Sequence, residues 1–110
     1  MGRDGKALLQ GTLDVLVLQA LKGRSLHGYD VARWIRDASG GAFVVEDGAL
    51  YTSLHRLQKR GLLASEWGTS ESNRRAKFYG LSPAGQAELA AQTASWNAYA
   101  DAVARVLASG

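Results

Sequence analysis

The apolar residues of this chain keep helical spacing three times in succession, change once to strand spacing, and return to helical spacing for the remainder. Few architectures satisfy that order, because each change of period marks a change of element. Leu13, Leu16, Val17, Ala20 and Leu21 predict a first helix over 12–22, starting near Gly11 or Thr12 and broken by Lys22-Gly23-Arg24. Tyr29, Ala32, Ile35 and Ala38 predict a second, with Ser25 as its cap and Gly40-Gly41 as its stop. Phe43-Val44-Val45 reads as a short extended piece. Asp47 is the expected N-cap of a third helix carrying Leu50, Leu54 and Leu57, with Gly61 ending it. Leu62–Trp67 and Lys77–Leu81 then read as two strands around a polar turn, Gly68–Asn73, followed by Arg74 and Arg75. Ser82 and the only proline, Pro83, form a helix-start signal, and the last helix is expected to reach about Leu107. Residues 1–7 read as a loose arm. The expected fold is mainly α with a small β-hairpin.

With 110 residues there is room for one domain, and a 46% apolar content supports a real core. There is no cysteine, which excludes disulfides and thiolate chemistry and fits a reducing, cytoplasmic compartment. The apolar stretch Leu13–Leu21 is interrupted by Asp14 and Gln19 and is too short to cross a bilayer. Arg3 and Lys6 precede it, but no small-residue cleavage site follows, so a signal peptide is not expected. Lys6 stands where a myristoylation motif needs Ser or Thr.

The net charge is only +3, but it is unevenly placed. Between His55 and Lys77 stand Arg56, Lys59, Arg60, Arg74, Arg75 and Lys77 against Glu66 and Glu71 alone. Such a concentration suits a phosphate footprint. On a helical projection the third helix turns Leu50, Leu54 and Leu57 to one side and Ala49, Thr52, His55, Arg56 and Lys59 to the other, with Tyr51 on the flank. A helix of this kind fits a DNA major groove, where Thr52 and Arg56, one turn apart, reach base edges and Lys59 lies nearer the backbone. Arg74, Arg75 and Lys77 suit the phosphates or the adjacent minor groove.

Several segments together resemble the PadR family of bacterial transcription regulators. They are Gly11-Thr-Leu-Asp-Val-Leu-Val-Leu, Leu26-His-Gly-Tyr-Asp-Val-Ala and Gly48-Ala-Leu-Tyr-Thr-Ser-Leu-His-Arg-Leu. The hairpin Glu66-Trp-Gly…Asn-Arg-Arg-Ala-Lys-Phe-Tyr and Leu81-Ser-Pro-Ala-Gly extend the likeness over nearly all of 8–107. The resemblance implies a winged helix-turn-helix over 8–81 and a C-terminal dimerisation helix over 82–110, as in the shorter branch of the family, forming one structural unit. It makes 48–60 the recognition helix and the hairpin the wing. It further implies a homodimeric repressor, its last helix paired with the partner subunit and packed on the partner's first helix, released from its operator by a small molecule. Two positions depart from the pattern. Thr52 replaces a proline common after the Leu-Tyr pair, and Gly80 stands where a polar or basic residue is common, which weakens the expectation for the wing's return strand.

Dimerisation is also expected from the residues themselves. Leu89, Trp96, Tyr99, Val103 and Val106 keep a rhythm of three and four steps, broken only at Gln92. That stripe carries more apolar surface than a core of this size needs, and self-pairing buries it. Trp96 and Tyr99 are the candidate effector-binding pair, since two facing aromatics on a two-fold axis can sandwich a flat ligand. An enzyme is not expected. His27 and His55 are the only histidines and neither has a partner at metal-ligand spacing, Glu46-Asp47 suits a helix start, and no phosphate-binding glycine loop is present. No catalytic residue, metal ligand or cofactor is assigned. The remaining alternative is a winged-helix module that binds protein without specific DNA binding.

Overall fold

The computed structural model describes residues 10–110; the arm expected over 1–7, and residues 8 and 9, lie outside them. Four helices and three strands follow in the order α1 (Gln10–Ala20), β1 (Leu26–His27), α2 (Gly28–Ala38), α3 (Asp47–Lys59), β2 (Leu63–Thr69), β3 (Arg75–Leu81) and α4 (Pro83–Ala108). The sheet is antiparallel with order β1-β3-β2.

The apolar spacing explains most of the core. On α2, however, Tyr29 and Ala38 of the expected face are exposed and Val31 is buried beside Ile35, because the face turned to α1 and α3 is offset from the one the spacing suggests. Leu13, Val17 and Leu18 of α1, with Leu21 just after it, meet Val31 and Ile35 of α2, and Leu50, Leu54 and Leu57 of α3. Leu62, Leu63 and Tyr79 close the cluster from the sheet side and Leu89 closes it from α4. Helix α1 is the hub, packed against α2, α3 and α4. Each buried leucine contributes on the order of 2 kcal/mol by leaving water.

Local signals place most boundaries, with three corrections. Ser25 does not cap α2. Leu26 and His27 pair with Tyr79 and Phe78 as a third strand, and His27 takes the N-cap position without a side-chain cap bond. Asp47 is the first residue of α3 and Glu46 precedes it as the cap, again without a side-chain bond. The strands run further into the polar stretch than their composition suggests, with Gly68 paired to Ala76 and Thr69 to Arg75, so that only 70–74 turn. In that turn the Ser70 N–H donates to the Arg74 carbonyl (2.8 Å), and Asn73 takes φ +63°, a left-handed conformation that Asn tolerates.

The start of α4 is fixed tightly. The Ser82 hydroxyl accepts from the Gly85 N–H (3.0 Å) and donates to the Gly61 carbonyl (2.7 Å), while the Ser82 N–H donates to the Leu62 carbonyl (3.1 Å). A Cβ on Gly85 would collide with that same Leu62 carbonyl, so glycine is required for the close approach. Beyond Leu89 every residue of α4 is exposed, and the helix extends the molecule to 56 × 31 × 20 Å. No described helix is long and apolar enough to cross a membrane.

Candidate nucleic-acid interface

Helix α3 buries Leu50, Ser53, Leu54 and Leu57. The geometry of a helix therefore turns Ala49, Thr52, His55 and Lys59 outwards, and all four are exposed, as is Tyr51. Arg56 is different. Its Nε donates to Asp14 Oδ2 at 3.1 Å and its Nη2 to Asp14 Oδ1 at 2.5 Å. The Ser53 hydroxyl, fully buried, donates to the same carboxylate at 2.6 Å. The hydrogen bonds that Arg56 donates to Asp14 outweigh partial burial and hold the guanidinium pKa above its ordinary value. The guanidinium expected at base edges is thus engaged by α1, where it fixes the orientation of α3; Thr52 and His55 are the exposed polar groups at the centre of the outer face.

On the hairpin, alternation puts Trp67 on one face with its cross-strand partner Lys77 and the diagonal Arg75. The Arg75 guanidinium lies 4.5 Å from the Trp67 ring centre, and Lys77 Nζ lies 5.9 Å from that ring and 6.0 Å from the ring of Tyr79. These are cation–π distances, and they hold two long side chains over one aromatic platform. Arg74 sits at the exposed tip, its N–H bonded to the Ser70 hydroxyl (3.3 Å). Gly80 stays within the ladder opposite Ala64, and a Cβ there would crowd the Ser25 hydroxyl at 3.1 Å. The return strand is thus continuous at the position where loosening is expected from the sequence.

Helix and wing face one another across an open groove of about 450 Å³. Tyr51 and His55 line it from α3, Trp67, Arg75 and Lys77 line it from the hairpin, and His27 and Gly28 form its end at the start of α2. At that end His27 Nε2 lies 3.4 Å from Asp30 and its ring meets Phe78 edge-on at 5.3 Å. Behind the groove, burial foremost and then the neighbouring Tyr51 push the Tyr79 hydroxyl pKa up. Cations, hydroxyl and imidazole donors and a half-open concave shape suit a polyanion whose backbone passes between helix and hairpin.

Asp14, Trp67 and Gly28 belong to this arrangement and are not among the residues expected from the sequence. The signal for Asp14 is an acid set within an apolar helical run, and that for Trp67 an aromatic three residues before the turn.

A second groove, about 520 Å³, runs between α1 and α4, with Thr12 and Val15 on one wall and Trp96 and Tyr99 on the other. The two rings lie 5.7 Å apart. Trp96, Tyr99, Val103 and Val106 are exposed. Leu89, expected in the same stripe, is buried in the protomer's own core, because it falls where α4 still packs on α1. Among the described residues no group of three His, Cys, Asp or Glu side chains could hold a metal.

Comparison with known proteins follows the same lines. Residues 17–91 match the Transcriptional regulator PadR-like family. A PadR family transcriptional regulator from Eggerthella lenta is 32% identical, with 92% of this chain and 86% of that one covered and a TM-score of 0.77. A PadR-like transcriptional regulator from Bacillus cereus is 22% identical, with 93% and 97% covered and a TM-score of 0.80. An uncharacterised protein of Lysinibacillus sphaericus is 22% identical over 89 residues, which are 81% of this chain and 82% of that protein. The family consists of transcriptional regulators and not enzymes, the winged-helix architecture is shared, and the chain belongs to the PadR-like family.

Proposed function

We propose that the protein is a homodimeric, sequence-specific DNA-binding repressor acting in the cytoplasm. The observation that carries this reading is the shared groove: Tyr51 and His55 of α3 and the cation-bearing face of the hairpin look onto one space. One duplex can then meet both, with α3 in the major groove and the wing on the adjacent backbone. Thr52 and His55 read base edges, with Ala49 allowing close approach. Lys59, Arg74, Arg75, Lys77 and Tyr51 contact the backbone, and Arg56 acts through its bond to Asp14.

The exposed stripe Trp96, Tyr99, Val103 and Val106 supports pairing with a second copy, since isolated it would leave a large apolar face in water. The mostly apolar groove beside Trp96 and Tyr99 supports a flat aromatic effector, bound between subunits, that releases DNA. Binding of a fluorescent duplex taken from upstream of the protein's own gene, against a scrambled competitor at several salt concentrations, tests the reading. Tight binding that resists the competitor supports it. Equal, weak binding to both duplexes favours the protein-binding alternative. Titrating planar hydrophobic dyes while following tryptophan emission tests the effector, and an unchanged emission contradicts it.

A further inference from the structure

Gly28 is the first residue of α2, it is buried, and its backbone is not in the left-handed region that favours glycine. Within a helix alanine is ordinarily the better residue. Space explains the glycine instead. A Cβ at Gly28 would stand 2.6 Å from Tyr51 Oη, 2.8 Å from Cζ and 3.0 Å from Cε1. The phenol ring of Tyr51 therefore rests directly on the Gly28 Cα. Tyr51 leaves α3 on its flank and is 42% exposed, so it is free to swing outwards if anything fills that position. Where it now rests, it borders the groove shared with Arg75 and Lys77.

We propose that Gly28 is a positioning residue for DNA binding: its missing side chain seats Tyr51 across the start of α2, where the hydroxyl joins Arg75 and Lys77 in holding one backbone phosphate. This rests on the DNA-binding reading above. It also gives a physical link between the Leu-His-Gly-Tyr and Leu-Tyr segments, which lie more than twenty residues apart and meet at this contact.

The test uses the full chain and its Gly28→Ala, Tyr51→Ala and double variants. Each is measured on the upstream duplex and on a random-sequence duplex at low salt, because a phosphate contact is independent of sequence. Gly28→Ala and Tyr51→Ala should each weaken binding to both duplexes by about tenfold, and the double variant should be no weaker than either. NMR of the free Gly28→Ala protein should show the Tyr51 ring resonances displaced. If Gly28→Ala also lowers Tm, adding Tyr51→Ala should restore it. Wild-type affinity in Gly28→Ala, losses that multiply in the double variant, unmoved Tyr51 resonances, or a lowered Tm that Tyr51→Ala does not restore would each overturn the proposal. A wild-type protein that does not prefer the upstream duplex overturns the sequence-specific reading instead, and the random duplex still decides the seat.

Discussion

Asp14 shows what a single residue does here. Its carboxylate is only 14% exposed and satisfies a fully buried hydroxyl and a half-buried guanidinium on α3. Asp14→Ala leaves both without a partner, and an unpaired buried donor is costly. Urea unfolding should therefore show a loss of about 2 kcal/mol, larger than for Ser53→Ala, which removes one donor and leaves the ion pair. Tyr79 supplies a second prediction. Its hydroxyl titrates above the ordinary tyrosine value because burial disfavours the anion. The folded state then holds its proton to higher pH than the unfolded chain does. Stability from this group is complete below about pH 10 and is lost as pH rises through the folded value. Tyr79→Phe should flatten that alkaline fall in unfolding free energy. A profile that keeps its slope in the variant would assign the fall to other groups.

At the scale of elements, the wing makes the clearest prediction. If Arg74 and Arg75 each neutralise a phosphate, replacing either by Ala should lower the slope of log K against log salt by about one unit on every duplex. Trp67→Ala should partly reproduce the Arg75 effect, because the guanidinium loses its ring 4.5 Å away, and should leave the Arg74 effect intact. A loss confined to one operator sequence would give the wing a base-reading role instead. Periodicity made four helices and a hairpin legible, since leucines at three- and four-residue steps have one way to be buried. What it could not reveal was non-local. Leu26 and His27 become a strand only because Phe78 and Tyr79 arrive beside them, which is why the Ser25 cap fails. Arg56 lies on the polar side of the projection, but its partner stands forty-two residues earlier, so no local pattern points to it. Leu89 belongs to the apolar stripe by spacing and to the protomer core by position along α4.

The whole molecule is a compact winged unit with one long helix leaving it, and that helix is exposed from Ala90 onward. The exposed face holding Trp96, Tyr99, Val103 and Val106 would serve the proposed dimerisation without requiring any change in the DNA-binding unit. Val106 is 71% exposed, so Val106→Glu should leave helix content and protomer folding intact. In sedimentation it should shift a species of twice the chain mass towards the single chain, with DNA affinity falling in parallel. Retention of the larger species would move the subunit interface elsewhere.

In the proposed dimer two copies of α3 and its wing read one duplex together. A hydroxyl-radical footprint on DNA upstream of the protein's own gene tests it most directly. Two symmetric protected half-sites are expected on one face of the duplex, their centres about 34 Å or a multiple of that apart. Uniform weak protection, or a single unpaired patch, would contradict it.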